Sequence, residues 1–207
     1  MDQPRGQAPP LGDVAESWPV TDSEDLHRDD WVVALRADRI TRPGDPDGEP
    51  FRRLVLEHPG AVVVLAVDER DRACCLLQYR HPAQRRFVEL PAGLCDEPGE
   101  EPLAVAQREL QEEVGLAASS WAHLATTYSS PGLSTEQMHF YLARGLTDVG
   151  RDDFDLEHEE AEMSVVWVPL TELRAAVLDG RVADAPLVLA VLLADARGVG
   201  APSARGE

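Results

Sequence analysis

Residues 93–116, GLCDEPGEEPLAVAQRELQEEVGL, restrict the folding options of this chain more than any other stretch, because one short helix must satisfy two opposed demands. Pro102 suits a first helical turn, Leu103, Ala106, Leu110 and Val114 recur at spacings of three or four, and Gly115 is a natural left-handed stop. The spacing predicts an amphipathic helix whose apolar stripe other elements must cover. Its remaining surface carries Glu109, Glu112 and Glu113 at i, i+3 and i+4, so three carboxylates are neighbours within one turn. They lie toward the helix C-terminus, where the helix dipole also disfavours negative charge. A solvated acidic face is one reading of such a cluster. A cation site is the other: hard oxygen donors grouped in this way match Mg²⁺ or Mn²⁺, which take one or two carboxylates, keep several waters and bridge to phosphates.

The charge balance limits the partners. With 38 acidic and 19 basic residues the chain carries a formal charge of -19, a field that repels nucleic acid and anionic membrane and suits an anionic small substrate arriving with metal. At 207 residues and 43% hydrophobic content, one sizeable core and a single domain with tails are expected. Cys74, Cys75 and Cys95 show no CxxC spacing, so neither a disulfide framework nor a zinc site is indicated, and a reduced cytosol is the simplest location. The N-terminus lacks a basic segment followed by an apolar one, and the longest apolar run, residues 186–196, is too short to span a bilayer. The expectation is a soluble, cytoplasmic protein without a secretion signal.

Along the chain, residues 1–16 are rich in Pro, Gly and polar residues and read as a disordered tail. Residues 31–41 and 51–57 read as strands joined across the Pro/Gly/Asp cluster at 43–49, giving an N-terminal antiparallel strand pair within residues 17–57. The run 61–67 is continuously apolar, as a strand buried on both faces is, and residues 73–79 follow as another strand. Further strands are expected at 87–90, 121–128, 136–143 and 163–168, with helices at 170–178 and 186–196. The pattern predicts an α/β fold, an α/β/α sandwich around a mixed sheet over residues 58–197, followed by a C-terminal tail at 198–207.

Three further groups of residues carry chemistry. Arg80, Arg85 and Arg86 concentrate positive charge just before the acidic helix, where guanidinium groups can hold a diphosphate bidentately and Phe87 can offer an aromatic face to a base. Pairing of these arginines with nearby carboxylates, and core packing of Phe87, are the plainer alternatives. Pro131-Gly132 reads from its residues as a turn. The acidic run at 157–162, Glu157-His158-Glu159-Glu160-Ala161-Glu162, is mostly a solvated loop, with His158 a surface histidine. Yet an attacking water needs a base within hydrogen-bond reach, and a loop is a common place for one.

Read together, Arg108-Glu109-Leu110-Gln111-Glu112-Glu113-Val114-Gly115-Leu116 fits the REUxEExGU core of the Nudix box, with Glu100 at its proper place before Arg108, so the chain resembles the Nudix hydrolase family. It departs from the family pattern at one point: six residues rather than five separate Gly93 from Glu100. The resemblance implies that Glu109 and Glu113 bind metal directly, that Glu112 does so directly or through water, that the Ala92 carbonyl completes the site, and that Arg108 pairs with Glu112 or Glu100. Pro131, fifteen residues after Leu116, resembles the mark of the ADP-ribose pyrophosphatase branch, as do QYRH and ELPAGL. That branch implies cleavage of the diphosphate of ADP-ribose to AMP and ribose 5-phosphate, substrate contacts from Arg80, Arg85, Arg86, Phe87, Glu89, Gly93 and Pro131, and a catalytic glutamate in the acidic loop. Spacing from Met163 favours Glu160, then Glu159. Relatives form dimers through N-terminal strands, which implies a homodimer. Another nucleoside diphosphate sugar or a dinucleotide is the alternative substrate, and a non-hydrolytic regulatory module the alternative class.

Overall fold

The computed structural model describes residues 11–45, 47–151 and 163–200. In chain order the elements are β1 (Val20–His27), β2 (Ala34–Ile40), β3 (Phe51–Glu57), β4 (Ala61–Ala66), β5 (Arg72–Arg80), a turn of 3₁₀ helix (His81–Ala83), β6 (Arg85–Glu89), β7 (Ala92–Leu94), α1 (Pro102–Val114), β8 (Leu116–Tyr128), β9 (Gln137–Asp148), β10 (Ser164–Pro169), α2 (Leu170–Leu178) and α3 (Ala185–Ala196). The strands form three sheets, in the orders β1-β2-β3, β10-β5-β6 and β7-β4-β9-β8. β4 and β9 run parallel while β7 and β8 join antiparallel, so the central sheet is mixed, as expected.

The unbroken apolar run in β4 has a direct cause. Val62, Val64 and Ala66 face one core cluster with Val105, Ala106 and Leu110 of α1; Val63 and Leu65 face the other, with Leu173 of α2 and Leu187, Ala190 and Val191 of α3. Each face of the strand is covered by helix, which leaves no solvent side to be polar. This gives the α/β/α sandwich. The strands and helices anticipated from residue 61 onward are all present, and β8 and β9 run further than expected, pairing from Leu116↔Asp148 to Tyr128↔Gln137.

Three local details differ from the sequence reading. The buried residues of α1 are Val105, Ala106 and Leu110, while Leu103 is exposed. The buried face is centred on Val105, Ala106 and Leu110, and Leu103 stands at its edge around the helix circumference. Second, the N-terminal pair is a three-stranded sheet. β2 and β3 pair from Ala34↔Glu57 to Ile40↔Phe51, and β1, whose sequence VTDSEDLH shows no apolar alternation, adds along β2 with every residue exposed. Third, the short β7 was not anticipated; it pairs with β4 through Val62↔Gly93 and Val63↔Ala92 and brings the chain beneath α1.

The N-terminal sheet is tied to the sandwich by the loop after β8. Leu133 and Ser134 turn back on the Ser130 carbonyl at 2.9 and 2.8 Å, and Leu56 and Thr135 then exchange backbone bonds with that loop, Leu56 N–H donating to Leu133 at 2.8 Å and Thr135 N–H to Leu56 at 3.0 Å. Pro131 sits in this turn, which is the plain reading of the Pro-Gly pair.

Candidate active site

α1 is stopped by Gly115, whose φ of 69° allows its N–H to reach the Gln111 carbonyl at 2.8 Å. A side chain there would meet the backbone of Gly150 at 3.0 Å and Arg151 at 3.1 Å. At the other end Pro102 occupies the first turn, where its missing N–H costs nothing. The helix thereby holds its last two turns over β7, with the carboxylates toward a cleft of about 740 Å³. Ala92, Gly93, Arg108, Glu109, Glu112 and Glu113 all line it, as do Arg80, Phe87 and Glu89 from the facing strands.

The carboxylates are held by specific contacts. One nitrogen of Arg108, Nη1, donates to Glu109 Oε1 at 2.8 Å and to Glu112 Oε2 at 2.9 Å, while Nη2 reaches Glu100 Oε2 at 3.4 Å. Both pairings anticipated for Arg108 therefore exist together, and the extra residue between Gly93 and Glu100 does not prevent Glu100 from joining. Glu113 Oε2 accepts the Ala92 backbone N–H at 2.9 Å, which sets that carboxylate beside the β7 backbone. A Cβ built on Gly93 overlaps the carboxyl of Glu109, so only glycine leaves room for Glu109 to lie against β7.

One guanidinium among three carboxylates is not enough. Burial pushes the Glu109 carboxyl up to about 7, and Glu112 adds to this, even though Arg108 opposes both. Burial alone would lower Arg108, but Glu109, Glu112 and Glu100 around it hold it above its ordinary value. The cluster thus retains an unmet demand for positive charge. Its donor set, carboxylate oxygens set against the β7 backbone at Ala92 and Gly93, has the hard-oxygen chemistry of a divalent cation site. Glu109 and Glu112 are turned to Arg108 and Glu113 to the Ala92 N–H, and among the described residues no three side chains already converge on a single metal-sized point.

The opposite wall is built by β5 and β6, which pair through Gln78↔Phe87, Arg80↔Arg85 and Leu76↔Glu89. Arg80 grips Glu89 with two nitrogens, Nε to Oε1 at 3.0 Å and Nη2 to Oε2 at 2.7 Å, and this raises Arg80 above its ordinary pKa. Of the three arginines singled out before the acidic helix, Arg85 and Arg86 do not line the cleft. Strand alternation places Arg86 on the face away from Phe87 and Glu89, where its Nη1 donates to the Leu77 carbonyl at 3.3 Å. Pro131 likewise lies in its turn outside the cleft lining. Glu159 and Glu160 lie outside the described residues.

Several cleft residues were not singled out from sequence: Trp31, Gln78, Asp96, Glu136, Met138 and Asp184. Asp184 carried a legible signal for another role, as an acid just before an Ala-Pro helix start, and it does cap α3. Its place in the cleft depends on how α3 packs against β6. Trp31, 67% exposed, enters from the β1–β2 connection, a position no local pattern encodes.

The family model described as the NUDIX domain matches residues 57–191, and the chain belongs to the Nudix family. It is a Nudix hydrolase whose similarity falls in the ADP-ribose pyrophosphatase branch. An ADP-ribose pyrophosphatase of Mycobacterium tuberculosis is 44% identical over 170 residues, covering 82% of this chain and 79% of the relative. One from Bacillus subtilis is 37% identical over 146 residues, covering 70% and 77%. A methanol dehydrogenase activator of Bacillus methanolicus is 32% identical over 160 residues, covering 77% and 83%. Among solved structures, an ADP compounds hydrolase superposes with a TM-score of 0.73 over 91% of this chain and 98% of that one at 20% identity, a likeness of fold. No described helix is long and apolar enough to cross a membrane.

Proposed function

We infer that this protein hydrolyses the diphosphate of ADP-ribose to AMP and ribose 5-phosphate with the help of Mg²⁺ or Mn²⁺, in the cytoplasm. The observation that carries this reading is the Glu109–Gly93 contact: a carboxylate buried against a glycine of β7, pushed up to about 7, and opening on a cleft of about 740 Å³. That volume is of the size that encloses a nucleotide-sized ligand. Glu109, Glu112, Glu113 and the Ala92 carbonyl would hold the cation. Bound there, it would neutralise diphosphate oxygens and lower the pKa of the attacking water.

The chain's own residues do the rest. Arg108 keeps Glu109 and Glu112 in register through its shared nitrogen, so the acidic face is set before substrate arrives. Arg80, held by Glu89, presents its outer edge to the phosphates, and Phe87 and Trp31 offer rings to the base. Glu160, with Glu159 as the alternative, takes the proton of the attacking water.

A homodimer is part of this reading. Leu54, on the face of the N-terminal sheet that it shares with Ala37, is an exposed apolar side chain that a second copy would cover. Light scattering at micromolar concentration should give twice the chain mass; a monomer would refute it. For the substrate, the test is a panel of ADP-ribose, ADP-glucose, GDP-mannose, NADH and diadenosine polyphosphates, each with and without divalent metal. The expected result is the highest kcat/KM for ADP-ribose. A higher value for another member would keep the chemistry and change the substrate, and no cleavage of any would favour a ligand-binding module.

A further inference from the structure

The cleft contains a carboxylate that the chemistry above does not use. Asp184 stands before the first turn of α3, and its Oδ2 accepts the Leu187 backbone N–H at 2.9 Å. That cap occupies one oxygen. Asp184 also lines the cleft, and among the described residues its other oxygen, Oδ1, accepts no hydrogen bond.

The surrounding charges decide what that oxygen can attract. Arg80 is already gripped by both oxygens of Glu89, so the wall sets two carboxylates, Glu89 and Asp184, against one guanidinium. An anionic group placed against Asp184 itself meets a second carboxylate, whereas the edge of Arg80 that Glu89 leaves free can still take phosphate. A neutral group rich in hydroxyls finds acceptors, and the buried Gln78 adds an amide. Burial pushes Asp184 up to about 6, against its capping bond, and Glu89 pushes the same way while Arg80 opposes. At neutral pH it is therefore an ionised but poorly hydrated acceptor, for which a hydroxyl donor is worth more than in open water. Its position is also fixed. α3 buries Leu187, Ala190 and Val191, and just past its end Arg197 donates to the carbonyls of His123 and Leu124 on β8.

We propose that Asp184 is a specificity-determining residue, whose Oδ1 accepts a hydroxyl of the sugar beyond the diphosphate and disfavours an anionic group in the same place. The proposal rests on the diphosphate-hydrolase reading above. The sugar is favoured over the base because a base binds best through its face, which Trp31 and Phe87 can meet, whereas this wall offers acceptors.

Asp184→Asn tests it cleanly. Asparagine caps helices as well as aspartate, but the cap takes its single carbonyl oxygen, so the donor Nδ2 replaces an acceptor in the cleft. Affinities would be measured by calorimetry, with excess Mg²⁺, for two non-hydrolysable ligands: α,β-methylene ADP-ribose, and α,β-methylene ADP, which ends in a charged phosphate. Asp184→Asn is expected to weaken the sugar-bearing ligand roughly 10- to 100-fold, the scale of a charge-assisted hydrogen bond, and to leave the ADP analogue unchanged or tighter. Asp184→Ser, which also caps but is too short to reach out, should give the same selective loss. Equal weakening of both ligands, or no change in either, would overturn the proposal and leave the diphosphate reading standing. Wild-type protein that binds neither ligand would remove that reading and the proposal with it.

Discussion

Gly93→Ala is the smallest change that should damage this site, and its effect can be worked through atom by atom. The added Cβ overlaps the carboxyl carbon, one oxygen and Cγ of Glu109, whereas ordinary contacts begin at 3.4–4 Å. Something must move. Gly93 is anchored by its pairing with Val62, a strand residue with 0% exposure, so the backbone has little freedom to retreat. The burden falls on Glu109 and on the seating of α1 over β7. Overpacking of this kind costs about 1–3 kcal/mol, which for a chain of this size lowers Tm by roughly 2–12 °C. Turnover should fall about 10²-fold, because a displacement near 1 Å at the reacting centre has that scale. The informative comparison is made in a Glu109→Ala background, where every overlapping atom is gone. There Gly93→Ala should cost almost no stability, while turnover stays lost in both. Thermal denaturation of the four proteins gives the coupling directly. An equal Tm loss from Gly93→Ala with and without Glu109 would refute the argument that this glycine exists to admit that carboxylate.

Arg108→Ala leaves Glu100, Glu109 and Glu112 facing each other without their guanidinium; activity should drop about 10- to 100-fold, and excess divalent cation should raise Tm more in the variant than in wild type, as differential scanning fluorimetry would show. For Asp184 the sign of the pH effect follows from its direction: the folded-state value, about 6, lies above 3.8, so ionisation costs folding stability. The stability of wild type relative to Asp184→Asn should therefore fall as pH rises from about 4 to about 6 and then level off. Urea titrations of both proteins across that range would check it, and a rising difference would contradict it. Gln in place of Glu109 or Glu113 keeps the shape and removes the charge, and each should lower turnover by roughly 10²-fold or more.

The helix and its acidic face were legible because their signals are local. Pro102, Gly115 and the i, i+3, i+4 glutamates encode an end, a stop and an acidic face without reference to the rest of the chain. β4 was legible for a related reason: burial on both faces forces an apolar residue at every position. What escaped depends on distant partners. β1 is polar throughout and forms by completing the edge of β2, so no periodicity announces it. Leu103 fits the helical spacing, but spacing alone does not fix how the helix is rotated against the sheet, and Val105 is buried instead. The arginines before the box show the same limit. Three cations close in sequence face different ways once β5 and β6 pair, leaving Arg80 in the cleft and Arg86 on the other side. Asp184 is separated from Glu89 by most of the domain and meets that wall only through the packing of α3.

The decisive measurement for metal-dependent cleavage at the helix carboxylates is AMP release from ADP-ribose, followed for wild type and Glu113→Gln with and without Mg²⁺. Wild type is expected to release AMP and ribose 5-phosphate in equal amounts only when metal is present, with a loss of roughly 10²-fold or more in the variant. Release that is equally fast without metal, or unchanged by Glu113→Gln, would contradict it.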